Sequence, residues 1–261
     1  MNRGEGRKSW YLHLGPADAT PNAVLVGDPA RVALFESRLE NVRYVASDRE
    51  FHTLVGVYHG VPVSVTSTGM GAPAAAVAIE ELARLGVRRI VRVGTLMGIN
   101  APLSTLVLAQ AAVRYDGLSR SYASLHFPAV PDASLYSAFR RALSAQMGDG
   151  GQSARYPWTE GIVVSTDAFY ARMIPSTPAL RGDDGFDETA LARWGVAGMD
   201  METSALYVVA RSLGVAAVSL CAVTVAREGA QLIPPGPRGD VERYLVGVAL
   251  EGLRAAESPI E

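Results

Sequence analysis

Cysteine and lysine are almost absent from this chain of 261 residues. Cys221 is its only cysteine and Lys8 is its only lysine. One thiol cannot build a disulfide framework or a zinc site with several thiolates, and a thiol-poor chain fits a reducing cytoplasm. A Schiff-base or phosphate-loop lysine would have to be Lys8, which stands in a polar N-terminal stretch. The sequence therefore argues against both lysine chemistries and predicts a cytoplasmic protein.

The chain also lacks an excess of charge of one sign and a long apolar run. Its 24 basic and 26 acidic residues leave a net charge of −2, which argues against a nucleic-acid or membrane partner. The longest uncharged apolar stretch, residues 214–226, is too short to span a bilayer. Residues 1–10 form a polar N-terminal extension without the apolar segment of a secretory signal. No metal site is predicted, because no ligand spacing links the four histidines His13, His52, His59 and His126.

What the chain does have is enough apolar sequence for one large core, since 49% of its residues are hydrophobic. We predict a single domain over residues 1–261. Nearly continuous apolar runs predict buried strands at residues 23–27, 61–68, 89–94, 105–109, 161–165 and 215–225. Helical patterns fall between several of them, at residues 30–38, 73–85, 135–147, 187–194, 201–213 and 241–255. This alternation predicts an α/β fold with helices on both faces of a sheet, and ligands in such sheets bind beyond the carboxyl ends of the strands.

Two strand ends carry glycine-rich turns. The first strand runs into Gly27-Asp28-Pro29-Ala30-Arg31, which indicates a capped helix with a surface arginine or, alternatively, an anion site at the free amides. The second candidate, residues 67–74, matches G-x-G-x-x-A. A dinucleotide site needs an acidic residue about 20 positions later, at the end of the next strand, where this chain has Arg92. A tight turn or a backbone cradle for a small ligand is therefore favoured over NAD.

Arg92 is the most informative single residue, because it lies inside the apolar run 90–93. A buried guanidinium is costly without a negative partner. That partner is either an internal carboxylate or a bound anion, which would be a phosphate or a carboxylate. Thr95 would offer a hydroxyl and an amide to the bound anion. Glu202 lies in the first turn of a helix that follows a loop, where it can accept hydrogen bonds from sugar hydroxyls or simply be favoured by the helix dipole. Another strand end carries the aromatic pair Phe169-Tyr170, which can stack on a flat ring or belong to the core.

Taken together, these motifs resemble the nucleoside phosphorylase family, in the branch that holds uridine phosphorylase and the hexameric purine nucleoside phosphorylases. The resemblance runs from about His13 to Pro235. Its matching stretches, in family order, are His13-Leu14-Gly15, Gly27-Asp28-Pro29-Ala30-Arg31, Arg49-Glu50-Phe51, Ser67-Thr68-Gly69-Met70-Gly71, Arg92-Val93-Gly94-Thr95, Phe127-Pro128-Ala129-Val130, Asp167-Ala168-Phe169-Tyr170 and Asp200-Met201-Glu202. The resemblance implies a three-layer fold with a central mixed sheet.

The resemblance also implies roles for individual residues. Phosphate, a co-substrate rather than a cofactor, would bind Gly27, Arg31, Arg92 and Thr95, joined by Arg49 of a neighbouring subunit. Met201 and Glu202 would hold the ribose, and His13 would reach the ribose 5′ end in a neighbour's site. The residues expected to act in catalysis are Arg92, Thr95 and Glu202. Shared sites imply an obligate dimer, usually three dimers in a hexamer.

The base-binding positions depart from both branches of the family. Phe169 would pack on the base, but Met173 and Pro175 stand where uridine phosphorylases have glutamine and arginine. The pair Thr224-Val225 stands where the purine enzymes have a serine followed by aspartate or asparagine. Met97 replaces a common glycine and is followed by Gly98, so either the base pocket is reshaped or the loop shifts by one residue.

The leading hypothesis is phosphorolysis of a nucleoside, with uridine favoured and purine nucleosides next. Cleavage of the N-glycosidic bond builds positive charge on the ribose, and a positioned phosphate supplies both the counter-charge and the nucleophile. A nucleosidase that uses water, a non-catalytic nucleoside-binding relative and, more distantly, a dinucleotide enzyme are the alternatives.

Overall fold

The computed structural model describes residues 8–145, 155–172, 185–226 and 231–257. Its strands are β1 (Asn22–Val26), β2 (Glu40–Asp48), β3 (Phe51–Tyr58), β4 (Val61–Ser67), β5 (Arg89–Gly98), β6 (Leu106–Tyr115), β7 (Trp158–Thr166), β8 (Gly198–Asp200) and β9 (Ala216–Ala226). They form one mixed sheet in the order β2-β3-β4-β1-β5-β8-β7-β6-β9. The predicted strand runs are all present, and β5 and β6 continue beyond their predicted ends.

The sheet mixes parallel pairs with antiparallel ones, and its antiparallel pairs include β5–β8 and β6–β9. β1 lies between β4 and β5 and is parallel to both, whereas β2, β3 and β4 form an antiparallel meander. β5 also pairs in parallel with β9, so β5, β8, β7, β6 and β9 close on one another. This closure, which no local pattern in the sequence predicts, brings the carboxyl end of β5 against both β8 and β9.

The helices are α1 (Ala72–Arg84), α2 (Ala133–Ala145), α3 (Phe169–Arg172), α4 (Glu188–Arg193), α5 (Thr203–Ser212) and α6 (Pro235–Glu257). The helix predicted over residues 30–38 is a 3₁₀ helix over Pro29–Arg38. The expected cap is confirmed, because the Asp28 carboxylate accepts from the Ala30 N–H at 2.9 Å. None of the helices in the described ranges is long and apolar enough to cross a membrane.

Two apolar layers hold these helices on the sheet. On one face, α2, α6 and the 3₁₀ helix pack through residues such as Phe35, Phe139 and Leu250. On the other face, α1 and α5 pack through Ile79, Leu82 and Leu206 and neighbouring side chains. The predicted mixed sheet with helices on both faces is confirmed. Residues 1–7 lie outside the described ranges, and the prediction of a single domain stays a prediction.

Candidate active site

The carboxyl ends of β1 and β4 lie beside the middle of β5, because Val26 pairs with Ser67 on one side and with Val93 on the other. This register places Gly27, Thr68 and Gly94 at one edge of the sheet. A Cβ atom on Gly27 would lie 3.3 Å from the Gly69 carbonyl oxygen, so the two glycine-rich turns touch. The sequence pattern and the strand pairing therefore bring both turns to one place.

Arg92 lies at this edge with its side chain only 11% exposed. Its Nη1 atom is 3.1 Å from the Asp200 carboxylate and 2.7 Å from Cys221 Sγ, and its Nη2 atom donates to Glu202. Burial alone would lower the pKa of Arg92, but the surrounding Cys221, Glu202 and Asp200 outweigh it and raise this pKa above its ordinary value. Arg92 is therefore a permanent cation beside two carboxylates.

Gly94 makes room for the Arg92 side chain. A Cβ atom on residue 94 would lie 2.2 Å from Arg92 Nη1 and 2.6 Å from its Cζ, so the guanidinium would have to shift. The guanidinium thus folds back over its own strand, across the bare backbone of Gly94. A residue with any side chain at position 94 would force Arg92 elsewhere.

Glu202 completes the charged group from the start of α5. Its Oε1 atom accepts a hydrogen bond of 2.6 Å from the Gly71 N–H, while Oε2 accepts from Arg92. Gly69 and Gly71 both have positive φ, so the turn between β4 and α1 needs glycine to present that amide. The predicted backbone cradle thus holds a carboxylate of this chain.

One small cavity is lined by several of the predicted site residues. Gly27, Thr68, Arg92 and Glu202 line it. The predicted phosphate and ribose positions Gly27, Arg92 and Glu202 are therefore neighbours in the fold, while their roles toward a ligand stay predictions. Met201, beside Glu202, is half-buried.

Arg31 lies apart from Arg92, on the face of the sheet covered by α6. Its Nη2 atom is 3.0 Å from Glu242, and both side chains are largely buried. Arg31 and Glu242 line a second cavity together with Gly94. Thr95 follows Gly94 and is half-buried. The predicted phosphate ligands thus approach the edge of the sheet from both faces.

His13 and Arg49 occupy an exposed surface beside the β2–β3 turn. His13 Nε2 is 3.1 Å from the Asp48 carboxylate, and the Arg49 guanidinium lies 5.9 Å from the ring centre of Tyr11. Both His13 and Arg49 have positive φ, which is uncommon for residues with a side chain. The turn itself packs on the cradle, since a Cβ on Gly69 would lie 3.1 Å from Glu50 Cγ.

The predicted base-binding positions are only partly described. Met97 is buried, and it shares an apolar cluster with Val225 and Met199. The β5–β9 register shifts between Leu96 and Met97, so Met97 pairs with Val225 and Thr224 is passed over. The side chain of Phe169 and the residues Met173 and Pro175 lie outside the described residues.

The shifted register bears on the two outcomes expected at Met97. A Cβ on the following Gly98 would lie 2.1 Å from the Ala101 carbonyl oxygen, so this position demands glycine. The close backbone approach thus occurs one residue after Met97, which favours a shifted loop. Thr224 is buried, and its carbonyl accepts from the Ile233 N–H at 3.0 Å.

Sequence reasoning missed Cys221 as a contact of the site. As a lone cysteine it excludes disulfides and thiolate zinc sites, and in the structure its sulfur contacts Arg92. Ser219 and Cys221 interrupt the apolar residues of β9, and this interruption is the sequence signal that could have indicated a polar contact. No cluster of three or more metal-ligating side chains occurs among the described residues.

Comparisons with known proteins identify the family of this chain. Residues 21–231 match the family model of the phosphorylase superfamily. Uridine phosphorylase of Thermococcus kodakarensis is 35% identical over 91% of this chain and 83% of its own length. A crystal structure of uridine phosphorylase from Vibrio fischeri superposes with a TM-score of 0.79 at 28% identity, covering 95% of this chain and 97% of that one.

Purine nucleoside phosphorylase from Toxoplasma gondii, in complex with immucillin-H, superposes with a TM-score of 0.82 at 25% identity, covering 97% of this chain and 96% of that one. The family match spans most of the chain, and the relatives and structures cover it nearly from end to end. This chain therefore belongs to the phosphorylase superfamily and is a nucleoside phosphorylase, a pentosyltransferase.

Proposed function

We propose that this nucleoside phosphorylase cleaves uridine, or a close pyrimidine nucleoside, with inorganic phosphate. A phosphate oxygen forms a bond to ribose C1′ as the C1′–N bond breaks, and the base leaves with the bonding electrons and takes up a proton. The products are the free base and ribose 1-phosphate, and no cofactor is required. The observation that carries the proposal is the pair Arg92 and Glu202, a buried cation and a carboxylate on one cavity.

In this proposal Arg92 binds the phosphate and Glu202 binds the ribose, the two partners joined by the new bond to C1′. Arg92 supplies charge-assisted hydrogen bonds to phosphate, together with Arg31, the Thr95 hydroxyl and the amide of Gly27. Glu202 accepts hydrogen bonds from the 2′ and 3′ hydroxyls of the ribose, beside Met201. Phosphate held under C1′ opposes the positive charge that develops on the sugar, and this positioning lowers the barrier.

Arg92 alone does not neutralise its surroundings, which supports the need for further arginines. Two carboxylates, those of Asp200 and Glu202, lie against its single positive charge. A phosphate dianion entering this region therefore needs Arg31 and Arg49 as well. We propose that Arg49 comes from a neighbouring subunit, as does His13 at the ribose 5′ end.

The exposed surface around these two residues supports a shared dimer. Trp10 is 76% exposed and Met70 is 81% exposed, and both belong to segments that flank the β2–β3 turn. We propose that these exposed apolar side chains lie in an interface between protein chains. We propose an obligate homodimer with shared sites, assembled as three dimers.

Uridine is the preferred nucleoside in this proposal, because the uridine phosphorylase relative aligns with nearly the whole chain. A purine nucleoside is the second candidate, and the close superposition on the Toxoplasma gondii enzyme favours it. We propose that Phe169, Met97, Thr224 and Val225 surround the base.

A substrate panel tests the proposal. Uridine, thymidine, inosine, guanosine and adenosine are incubated with the protein, with and without phosphate, and free base is resolved by chromatography. We expect release that requires phosphate and is fastest with uridine. Release of equal rate without phosphate would overturn phosphorolysis, and a purine as the fastest substrate would overturn the uridine preference alone.

A further inference from the structure

The guanidinium of Arg92 belongs to a closed ring of four hydrogen bonds and one ion pair that runs through four other side chains. Arg92 Nη1 contacts both Asp200 Oδ2 (3.1 Å) and Cys221 Sγ (2.7 Å). From Cys221 the ring passes to Ser219 Oγ (3.5 Å), and from there to Thr203 Oγ1 (2.8 Å). Thr203 Oγ1 then closes the ring on Asp200 Oδ2 (2.5 Å).

Chemistry allows every proton in this ring to be assigned in one direction. Arginine can only donate, and an ionised aspartate can only accept, so these two residues fix the ends. The Cys221 thiol then donates to Ser219, the Ser219 hydroxyl donates to Thr203, and the Thr203 hydroxyl donates to Asp200. Burial raises the pKa of the Cys221 thiol above its ordinary value, which keeps the proton that this assignment requires.

The four residues that surround Arg92 in the ring are buried, and further hydrogen bonds hold them from outside the ring. Asp200, Thr203, Ser219 and Cys221 are all buried. Ser165 Oγ donates to the other carboxylate oxygen of Asp200 at 2.6 Å, and Ser219 N–H donates to the buried Tyr207 hydroxyl at 3.1 Å. A buried polar network in which each member is satisfied holds its side chains in one arrangement.

We infer that Asp200, Thr203, Ser219 and Cys221 are positioning residues that fix the Arg92 guanidinium for phosphate. They act through Arg92 and need not touch substrate. The ring contacts Nη1 through Asp200 and Cys221, while Nη2 donates to Glu202. The ring therefore sets the angle of the guanidinium plane at the cavity. This inference rests on the proposed phosphate-binding role of Arg92.

Thr203→Val tests the ring with the smallest change, because valine keeps the shape of threonine and removes only the hydroxyl that links Ser219 to Asp200. We expect the KM for phosphate to rise about tenfold, as for the loss of one hydrogen bond to a charged group, while the KM for uridine changes little. Thr203→Ser restores the hydroxyl and should restore the phosphate KM. Ser219→Ala breaks the same link from β9 and should reproduce the effect if Thr203→Val folds poorly.

Thr53→Val is the matched control. The Thr53 hydroxyl is also fully buried and hydrogen-bonded, to Thr66 at 3.0 Å, but it lies on β3 outside the ring. It should lower thermal stability without changing the phosphate KM. An unchanged phosphate KM in folded Thr203→Val or Ser219→Ala, or an equal rise in Thr53→Val, would overturn the inference.

A measurement that needs no turnover separates this inference from the proposed function. The protein is labelled with ¹⁵N-arginine, and the Arg92 signal is assigned from its loss in Arg92→Lys. A guanidinium whose rotation is restricted gives separate signals for its two Nη atoms. We expect separate signals in the wild-type protein and averaged signals in Thr203→Val. Averaged signals in the wild type would overturn the ring, whereas a wild type that shows no phosphate-dependent cleavage would overturn only the proposed function.

Discussion

At the scale of single residues, the site depends on a guanidinium in an apolar strand. The sequence identifies Arg92 as buried and in need of a negative partner, and it leaves open an internal carboxylate or a bound anion. The structure shows the internal partners, Asp200 and Glu202, while phosphate binding stays a prediction. The contact with Cys221 depends on the pairing of β5 with β9, which a single sequence does not encode locally.

Gly94→Ala tests how tightly the guanidinium position is set. The new methyl group would overlap Arg92 Nη1, so we expect the guanidinium to move by about 1 Å and kcat/KM to fall about a hundredfold. Phosphorolysis rates and circular dichroism measure activity and folding. Gly236→Ala, where no atom lies within 4 Å of the added group, is the control and should leave both unchanged. Full activity of Gly94→Ala would contradict the described Arg92 geometry.

At the scale of elements, Glu81 ties the N-terminal segment to α1. Its buried carboxylate accepts hydrogen bonds from the backbone N–H groups of Trp10, Tyr11 and Leu12 at 2.9–3.2 Å. These bonds end immediately before His13. The predicted N-terminal extension is therefore attached to the fold by residue 10, and its attachment presents His13.

Glu81→Gln should loosen this segment, because an amide offers one acceptor oxygen and turns its NH₂ group toward the backbone donors. We expect the amide hydrogens of residues 10–12 to exchange about tenfold faster in hydrogen-exchange mass spectrometry. Glu80→Gln is the neighbouring control, since Glu80 contacts Tyr122 and Arg84 instead. Equal exchange in wild type and Glu81→Gln would show that other contacts hold the segment.

Periodicity predicted most elements because their apolar faces are continuous. β2 escaped prediction since its residues are exposed or half-exposed and supply no apolar run, and β8 has only three residues. The bulge between Leu96 and Met97 also escaped, because a register shift arises from the fit of two distant strands. The same limit applies to the base pocket, whose shape depends on that register.

At the scale of the whole molecule, alkaline pH should destabilise the fold through tyrosines that are partly or fully buried. Burial, together with a hydrogen bond to Glu251, raises the pKa of Tyr58 to about 12, and burial with a bond to Glu80 does the same for Tyr122. The folded state therefore favours the neutral phenol, and its contribution is complete below the ordinary pKa of 10.0 and is lost as pH rises toward 12.

Urea unfolding between pH 8 and about pH 12 measures this loss. We expect the free energy of unfolding to decline above about pH 10, and to decline less steeply in Tyr58→Phe. An identical pH profile for Tyr58→Phe and the wild type would contradict the assignment.

Mixing two inactive variants tests the shared site of the proposed dimer. Arg49→Ala and Arg92→Ala should each lose most activity alone. A mixed dimer would contain one site with Arg92 from one subunit and Arg49 from the other, so an equal mixture, after subunit exchange, should recover about a quarter of the wild-type activity. Mass measurement by light scattering confirms the assembly. No recovery in a mixture that has exchanged subunits would place both arginines in the same subunit's site.

The central claim is that phosphate, held by Arg92, attacks the ribose. The most direct measurement is ³¹P NMR of the wild-type enzyme with uridine and phosphate, beside Arg92→Ala and the control Arg89→Ala. The control removes an ion pair between Arg89, the first residue of β5, and Glu257. We predict a growing ribose 1-phosphate signal with the wild type and Arg89→Ala, and a rate at least about a hundredfold lower with Arg92→Ala. Free uracil and ribose with an unchanged phosphate signal, or full activity of Arg92→Ala, would contradict the account.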